Sequence, residues 1–166
     1  METIVAALSS QWMQQTFNDY GWLWPVCETL HFMGMVMLIG TVGLFDLRML
    51  GVAKGLPAEP FRYLIPFGLG GFAVNLVTGM MFLSGNFDAV VAYGENPAFK
   101  WKVAFMGLAG LNAVLFYVTG IAKRVDTLQA GESAPMAAKV IATAGLTLWV
   151  GVICFGRLLP YLGDAF

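Results

Sequence analysis

The sequence predicts an all-helical membrane protein: a four-helix transmembrane bundle with an amphipathic helix at the membrane surface before it and both termini outside. Three observations support this fold class. Hydrophobic residues make up 58% of the chain and charged residues only 11%, whereas a soluble domain is usually about 25% charged. Four apolar runs exceed the roughly 20 residues that a helix needs to cross a bilayer. Polar segments with proline or glycine separate these runs.

Residues 1–20 form the first predicted element, an amphipathic helix. Val5, Leu8 and Trp12 recur at helical spacing, opposite a face that is rich in glutamine. This pattern is typical of a helix that lies in the membrane interface. The stretch has no basic n-region and no small-residue cleavage site after an apolar core, so we do not expect a cleavable signal peptide.

Residues 21–166 form the predicted bundle. Its spans are residues 22–50, 61–84, 99–122 and 136–162, and its loops are residues 51–60, 85–98 and 123–135. At about 1.5 Å per residue the first span is longer than the bilayer core is thick, so it is expected to tilt or to project from the membrane.

The distribution of lysine and arginine predicts the orientation. Six of the nine basic residues border the first and third loops, and three lie on the opposite side. Because cytoplasmic loops carry the excess of basic residues, both termini are predicted outside a bacterial inner membrane. The six are Arg48, Lys54, Arg62, Lys123, Arg124 and Lys139, and the three are Lys100, Lys102 and Arg157.

Small and polar residues predict how the spans pack. Stripes at helical spacing occur on the second and fourth spans, where small side chains let helices approach closely in lipid. The stripes are Gly68, Gly71, Asn75 and Thr78, and Ala138, Ala142, Gly145 and Trp149. Asn75 and Asn112 are expected to form hydrogen bonds across the bundle. Asp46 and Arg48 are expected to anchor the first helix through charged partners such as Lys123, Arg124 and Glu59.

The candidate site is a group of polar residues at one depth near the predicted outer surface. Glu28 and the only histidine, His31, are three residues apart and share a helix face. Lys102 and Arg157 enter the third and fourth spans from the same side. One interpretation is structural: Glu28 pairs with Arg157 or Lys102, and His31 donates a hydrogen bond across the bundle.

The other interpretation is a cofactor site, because ionisable residues at membrane depth usually have a function. An imidazole in a helical bundle is a natural axial ligand of haem iron. His31 is the predicted ligand of haem b, with Lys100, Lys102 and Arg157 near its propionates and with Glu28 and Asn112 as further contacts. The sixth position is left to water, to an open site, to His31 of a second copy or to a methionine. The methionine candidates are Met33, Met80, Met81 and Met106.

A copper(I) site is the alternative cofactor prediction. Cys27, His31 and Met35 follow each other at intervals of four residues and so form one stripe on the first helix. Thiolate, imidazole and thioether together suit copper(I). Cys154, at a similar depth on the fourth helix, is a further candidate ligand.

Composition limits the partners. With a net charge of −1 and scattered basic residues, the chain has no basic face for nucleic acid. The expected partners are the lipid bilayer and either other membrane subunits or a second copy of the chain. The leading functional hypothesis is a haem-binding electron-transfer or accessory subunit. The competing one is a purely structural subunit that docks on a larger complex.

The sequence also resembles a family of small four-helix bacterial membrane proteins of no known activity, over essentially the whole chain. The matching motifs are WPVCETLHFMG at residues 24–34, FDLRMLG at 45–51, NPAF at 96–99 with Lys102, GLNA at 110–113, and Trp149 with GRL at 156–158. The Leu-His pair and the Asn-Pro-aromatic-Lys pattern are more distantly similar to the HemJ and CopD families, which are associated with haem and with copper resistance. This resemblance implies His31 and Lys102 as site residues.

Overall fold

A computed structural model describes residues 11–85 and 93–162. The regular structure in these two ranges is helical. In chain order the helices are α1 (Gln11–Asp19), α2 (Leu23–Leu50), α3 (Glu59–Arg62), α4 (Ile65–Ser84), α5 (Pro97–Val118), α6 (Ile121–Asp126) and α7 (Met136–Leu158), which continues into a 3₁₀ turn, Leu159–Tyr161.

Four segments among the described residues are long and apolar enough to cross a membrane, which confirms the four predicted spans and marks the chain as a helical membrane protein. They are Leu23–Leu50, Glu59–Ser84, Pro97–Val118 and Met136–Tyr161. The second segment is broken between α3 and α4, where Pro66 enters the first turn of α4 and needs no hydrogen-bond acceptor for its nitrogen. The third span ends at Val118, earlier than predicted, because Gly120 takes a left-handed φ of 73°.

The long helices pack as two pairs, α2 with α4 and α5 with α7, and contacts between α2 and α7 join the pairs. The predicted stripes lie in these contacts: Gly68, Gly71 and Thr78 are buried on α4, and Ala138, Ala142 and Gly145 on α7. Gly34 and Gly71 bring the backbones of α2 and α4 together. A Cβ atom on Gly34 would lie 2.8 Å from the oxygen of Gly71, and one on Gly71 would lie 2.6 Å from the oxygen of Gly34.

One end of the bundle, which we call the Arg48 end, is closed by its two loops. The backbone nitrogen of Ala58 donates to the oxygen of Leu128 (3.0 Å), and that of Gly131 donates to the oxygen of Lys54 (2.8 Å). These bonds tie the loop after α2 to the loop before α7. Beneath the loops lies a buried hydrophobic cluster that includes Phe45, Met49, Ala58, Phe61, Phe116 and Val125.

The guanidinium of Arg48 forms hydrogen bonds to both loops from inside the bundle. It is fully buried, and it donates to the backbone oxygens of Leu56 (2.6 Å), Gln129 (3.2 Å) and Glu132 (3.4 Å). The predicted charged partners of Arg48 and Asp46 were therefore wrong. The ion pair found among the described residues joins Arg62 of α3 to Asp126 of α6 at 3.4 Å. Backbone oxygens replace a carboxylate because the loops fold directly over the end of α2.

The other end, which we call the His31 end, carries α1. Phe17 of α1 is buried, and its ring packs edge-on against Trp24 with centroids 5.7 Å apart. Its edge also fills the space beside Gly85, at the end of α4. Trp12, from the predicted apolar face, is exposed. The predicted positions Val5 and Leu8 lie outside the described residues.

The two asparagines in the spans behave differently. Asn112 donates from Nδ2 to the oxygen of Ile141 on α7 at 3.1 Å, which confirms the expected bond across the bundle. Asn75 instead donates to the oxygen of Gly71 in its own helix at 3.1 Å, and its Oδ1 has no partner. The second prediction was wrong because the close approach of α2 and α4 leaves Asn75 beside Gly34, which has no side chain to receive a bond.

Candidate functional site

His31 is half-buried between α2 and α4, and its ring is held through Nδ1. That nitrogen lies 2.7 Å from the hydroxyl oxygen of Thr78 on α4. The same hydroxyl donates its only proton to the backbone oxygen of Val74 at 2.8 Å. A hydroxyl has one proton to give, so when that proton is given to the backbone of α4, the hydroxyl accepts from His31 and the proton of the imidazole is on Nδ1. The lone pair of the neutral ring is therefore on Nε2.

Aromatic rings cover His31 on one side, and a glycine lies beside it on another. The ring of Phe82 lies edge-on to His31 with centroids 5.6 Å apart, and Trp24 packs on Phe82 at 5.1 Å. A Cβ atom on Gly79 would lie 3.8 Å from Cε1 of His31. The ring is thus covered by Phe82 on one side, while Gly79 itself places no side chain beside Cε1.

Lys102 is the basic side chain that reaches into the bundle at this end. Its Cδ, Cε and Nζ atoms run along α7 beside Gly156, at 3.6–3.7 Å from where a Cβ atom would lie. Within the described ranges the side chain has no ion-pair partner within 4 Å. Lys102 therefore enters the His31 end of the bundle without an acidic partner among the described residues.

The remaining polar residues predicted at this depth do not join His31 and Lys102. Glu28 and Arg157 are both exposed and form no ion pair within the described ranges, so the predicted pairing of Glu28 was wrong. The position of Glu28 along α2 did not determine the direction in which its side chain points around the helix. Glu28 lies outside the buried face of α2 that carries Cys27 and Gly34. Lys100 is also exposed, and Asn112 lies about 15 Å along α5 from Lys102.

Asn96 positions the helix that carries Lys102. Its side-chain oxygen accepts from the backbone nitrogens of Ala98 (2.8 Å) and Phe99 (3.4 Å), which caps the start of α5. Its side-chain nitrogen donates to the oxygen of Leu159, after α7, at 3.0 Å. The Asn-Pro motif was noted in the sequence, but the role of Asn96 as the N-cap of α5 was not predicted. Asparagine before proline at the start of a helix is a recognisable capping signal.

The sulfur atoms at this end form a different pair from the predicted one. Cys27 is buried, and its Sγ lies 3.8 Å from Sδ of Met81 on α4. Its sulfur neighbour is thus Met81 and not Met35, while Cys154 is exposed. The described residues contain no group of three or more His, Cys, Asp or Glu that could hold a metal ion. Met33 and Met80 are exposed on the outside of the bundle.

Comparisons of the chain with protein-family models, with curated proteins and with solved structures found no match.

Proposed function

We propose that the His31 end of the bundle binds haem b through Nε2 of His31, and that the protein serves as an electron-transfer or accessory subunit in the bacterial inner membrane. The observation that carries the proposal is the bond between His31 and Thr78. Histidine ligands commonly donate their second ring proton to a fixed acceptor, which sets the tautomer and the ring orientation. Here the acceptor is a hydroxyl that is itself fixed to its own helix.

The charges near His31 suit a haem. A haem brings two carboxylates, and Lys102 is a half-buried cation with no partner in the described ranges. Lys100 and Arg157, which are exposed near the same end, supply further cations closer to water. Phe82 packs on one side of the His31 ring, and Trp24 packs on Phe82. When bound, the iron would supply a one-electron couple, and the side chains would hold and shield it.

If the iron takes a second ligand from the protein, Met33 and Met80 would not supply it, because both are exposed on the outside of the bundle. Met81 already contacts Cys27. The remaining candidates would be Met106, which is half-buried, and His31 of a second copy, with a small molecule as the alternative. A ligand from a second copy would make the haem a link between two protomers.

The first test is the absorption spectrum of the protein purified from cells supplied with haem precursor. We expect a Soret band in the wild type and its loss in His31→Ala, with the helical circular dichroism unchanged. Thr78→Val should weaken the band or shift it, because Nδ1 of His31 loses its acceptor. Thr143→Val is the matched control: Thr143 makes the same bond to its own helix, to the oxygen of Lys139 at 2.9 Å, but is exposed. A colourless wild type, or a band that survives His31→Ala, would refute haem binding at this site.

Copper(I) is the second candidate, and the pair of Cys27 and Met81 favours it. Two sulfur ligands and the imidazole of His31 suit this soft ion. If copper binds, the wild type should lack a Soret band and take up copper(I), and Met81→Leu should weaken the binding. Met80→Leu, at the adjacent exposed position, should have no effect. Equal binding by both variants would contradict a site at the sulfur pair.

The orientation in the membrane belongs to the same proposal. Both termini are placed outside because six of nine basic residues flank the Arg48 end. Alkaline phosphatase fused after residue 166 should be active, and the same enzyme inserted at residue 129, in the loop before α7, should be inactive. The opposite pair of results would reverse the orientation.

A wild type with no haem and no copper would instead favour a structural subunit that docks on other membrane proteins or on a second copy.

A further inference from the structure

A single carboxyl group lies within the apolar length of the bundle. Asp46 is the only acidic or basic residue between His31 and Arg48 on α2. The sequence between Lys102 and Lys123, which includes most of α5, has none, and neither does α7 between Lys139 and Arg157. Asp46 is 5% exposed, and its Oδ2 atom has no hydrogen-bond partner. The group is therefore buried and unsatisfied.

The carboxyl of Asp46 points into a small space between three helices. On α7, a Cβ atom added to Gly145 would lie 2.8 Å from Oδ2 of Asp46 and 3.3 Å from Nδ2 of Asn112 on α5. The missing side chain of Gly145 thus leaves room for the carboxyl group of Asp46 and the amide of Asn112 on two sides of the same backbone position. Because Nδ2 of Asn112 donates to Ile141, the amide presents its nitrogen and not its oxygen to this space.

The charged and titratable groups around Asp46 do not compensate its charge. The guanidinium of Arg48 is committed to three loop oxygens. The titratable group on α5 nearest to Asn112 is Tyr117, which is 53% exposed. On α7 it is Lys139, which is half-buried and lies six residues, or about 9 Å, before Gly145, and the next is Cys154, which is exposed and lies nine residues beyond it. No ion pair to Asp46 within 4 Å occurs among the residues that the structure describes.

We infer that Asp46 is a proton-binding site in the membrane-spanning part of the protein. A buried carboxylate without a partner is costly, so the group needs a cation. One proton added to the carboxyl group removes the charge and breaks no hydrogen bond found in the structure. A metal ion would need several oxygen ligands, and the space offers one carboxyl group and the nitrogen of an amide. The Arg48 end is the nearer end for proton exchange, because Asp46 is four residues, or about 6 Å, from the end of α2, and exchange there requires the loops over this end to open.

Infrared spectroscopy of the purified protein in lipid tests this site. At neutral pH the wild type should show the carbonyl stretch of a protonated carboxyl group, and the band should shift in D₂O because the proton exchanges. Asp46→Asn should remove the band, and Asp46→Glu should move it without abolishing it. Asp126→Asn is the control, because Asp126 is ion-paired to Arg62 and should contribute nothing to the band.

Three outcomes would overturn the proton site. The wild type could lack the band, the band could survive Asp46→Asn, or the band could remain unshifted in D₂O in the folded protein. Loss of the band on addition of sodium or calcium chloride would assign the site to a metal ion instead. If Asp46→Asn does not fold, Asp46→Glu in the intact bundle still decides the assignment. The experiment uses protein without haem, so its result is independent of the cofactor at His31.

Discussion

Alanine at Gly34 or at Gly71 is expected to lower the stability of the bundle more than any other single methyl group added to α2 or α4. In each case the new Cβ atom would lie under 3 Å from a backbone oxygen of the facing helix. A flexible side chain could move aside, but a helix backbone moves only as a whole. Overpacking in a core typically costs about 1–3 kcal/mol, and a clash with backbone is expected at the upper end of that range.

The measurement is the midpoint of thermal unfolding in detergent, followed by the fluorescence of the tryptophans. Gly40→Ala and Gly110→Ala are the matched controls, because a Cβ atom at either position meets nothing within 4 Å. Alanine is also the better helix former, so the controls should equal or exceed the wild type. Equal midpoints for Gly34→Ala and Gly40→Ala would contradict the close packing of α2 on α4.

The same substitutions connect packing to the candidate site. Thr78 lies on the same face of α4 as Gly71, and the crossing at Gly34 and Gly71 sets its distance to His31. Moving α4 outward by a fraction of an ångström would therefore lengthen the bond that fixes the imidazole. If haem binds at His31, the Gly71→Ala protein should also lose part of its Soret absorption.

The four spans and their packing faces could be predicted from the sequence. A span depends on the average hydropathy of about twenty residues, and a packing face depends on the spacing of small residues along a helix. Hydropathy over about twenty residues identifies a span whatever its neighbours are. A stripe of small residues identifies a packing face because small side chains allow a neighbouring helix to approach closely, whichever residues that helix carries. Gly71, Thr78, Ala142 and Gly145 could thus be assigned to contacts before their partners were known.

The polar contacts could not be predicted in this way, because a hydrogen bond or ion pair forms only if both side chains point toward each other around their helices. Glu28 and Arg157 share a depth, yet both are exposed and form no pair. Thr78 was assigned to a packing stripe, while its hydroxyl fixes the tautomer of His31. The signal that could have found it is the presence of a single hydroxyl on the stripe that faces the only histidine.

The role of Arg48 was the hardest to predict, because its acceptors are backbone oxygens, which every residue has. Two of the three acceptors, Gln129 and Glu132, are more than 80 residues away in sequence. A charged residue near the end of a predicted span usually reaches water or lipid headgroups. Here the loops cover the helix end and bring the oxygens to the guanidinium instead.

Replacing Arg48 by methionine is expected to open the Arg48 end of the bundle. The change keeps most of the length and the apolar stem but removes every donor, so the oxygens of Leu56, Gln129 and Glu132 lose their bonds to the guanidinium. A hydrogen bond from a charged donor contributes about 1.5–3 kcal/mol, so the loss of three such bonds should lower stability by several times the effect of a surface substitution. Arg48→Lys should be intermediate, because an ammonium group lacks the planar fork that reaches separate acceptors.

Two measurements check this expectation, the thermal midpoint in detergent and the rate of cleavage after Lys54 by a lysine-specific protease. Lys54 lies in the loop after α2, and its oxygen accepts the bond from Gly131 that joins the two loops. Cleavage should accelerate in Arg48→Met, because the loops lose their hydrogen bonds to the guanidinium and open more often. Arg62→Met is the matched control: it also removes one arginine at this end, but the side chain is 66% exposed in its pair with Asp126, and such pairs contribute about 0–1 kcal/mol. If both variants unfold and are cleaved alike, the guanidinium of Arg48 does not hold the loops together.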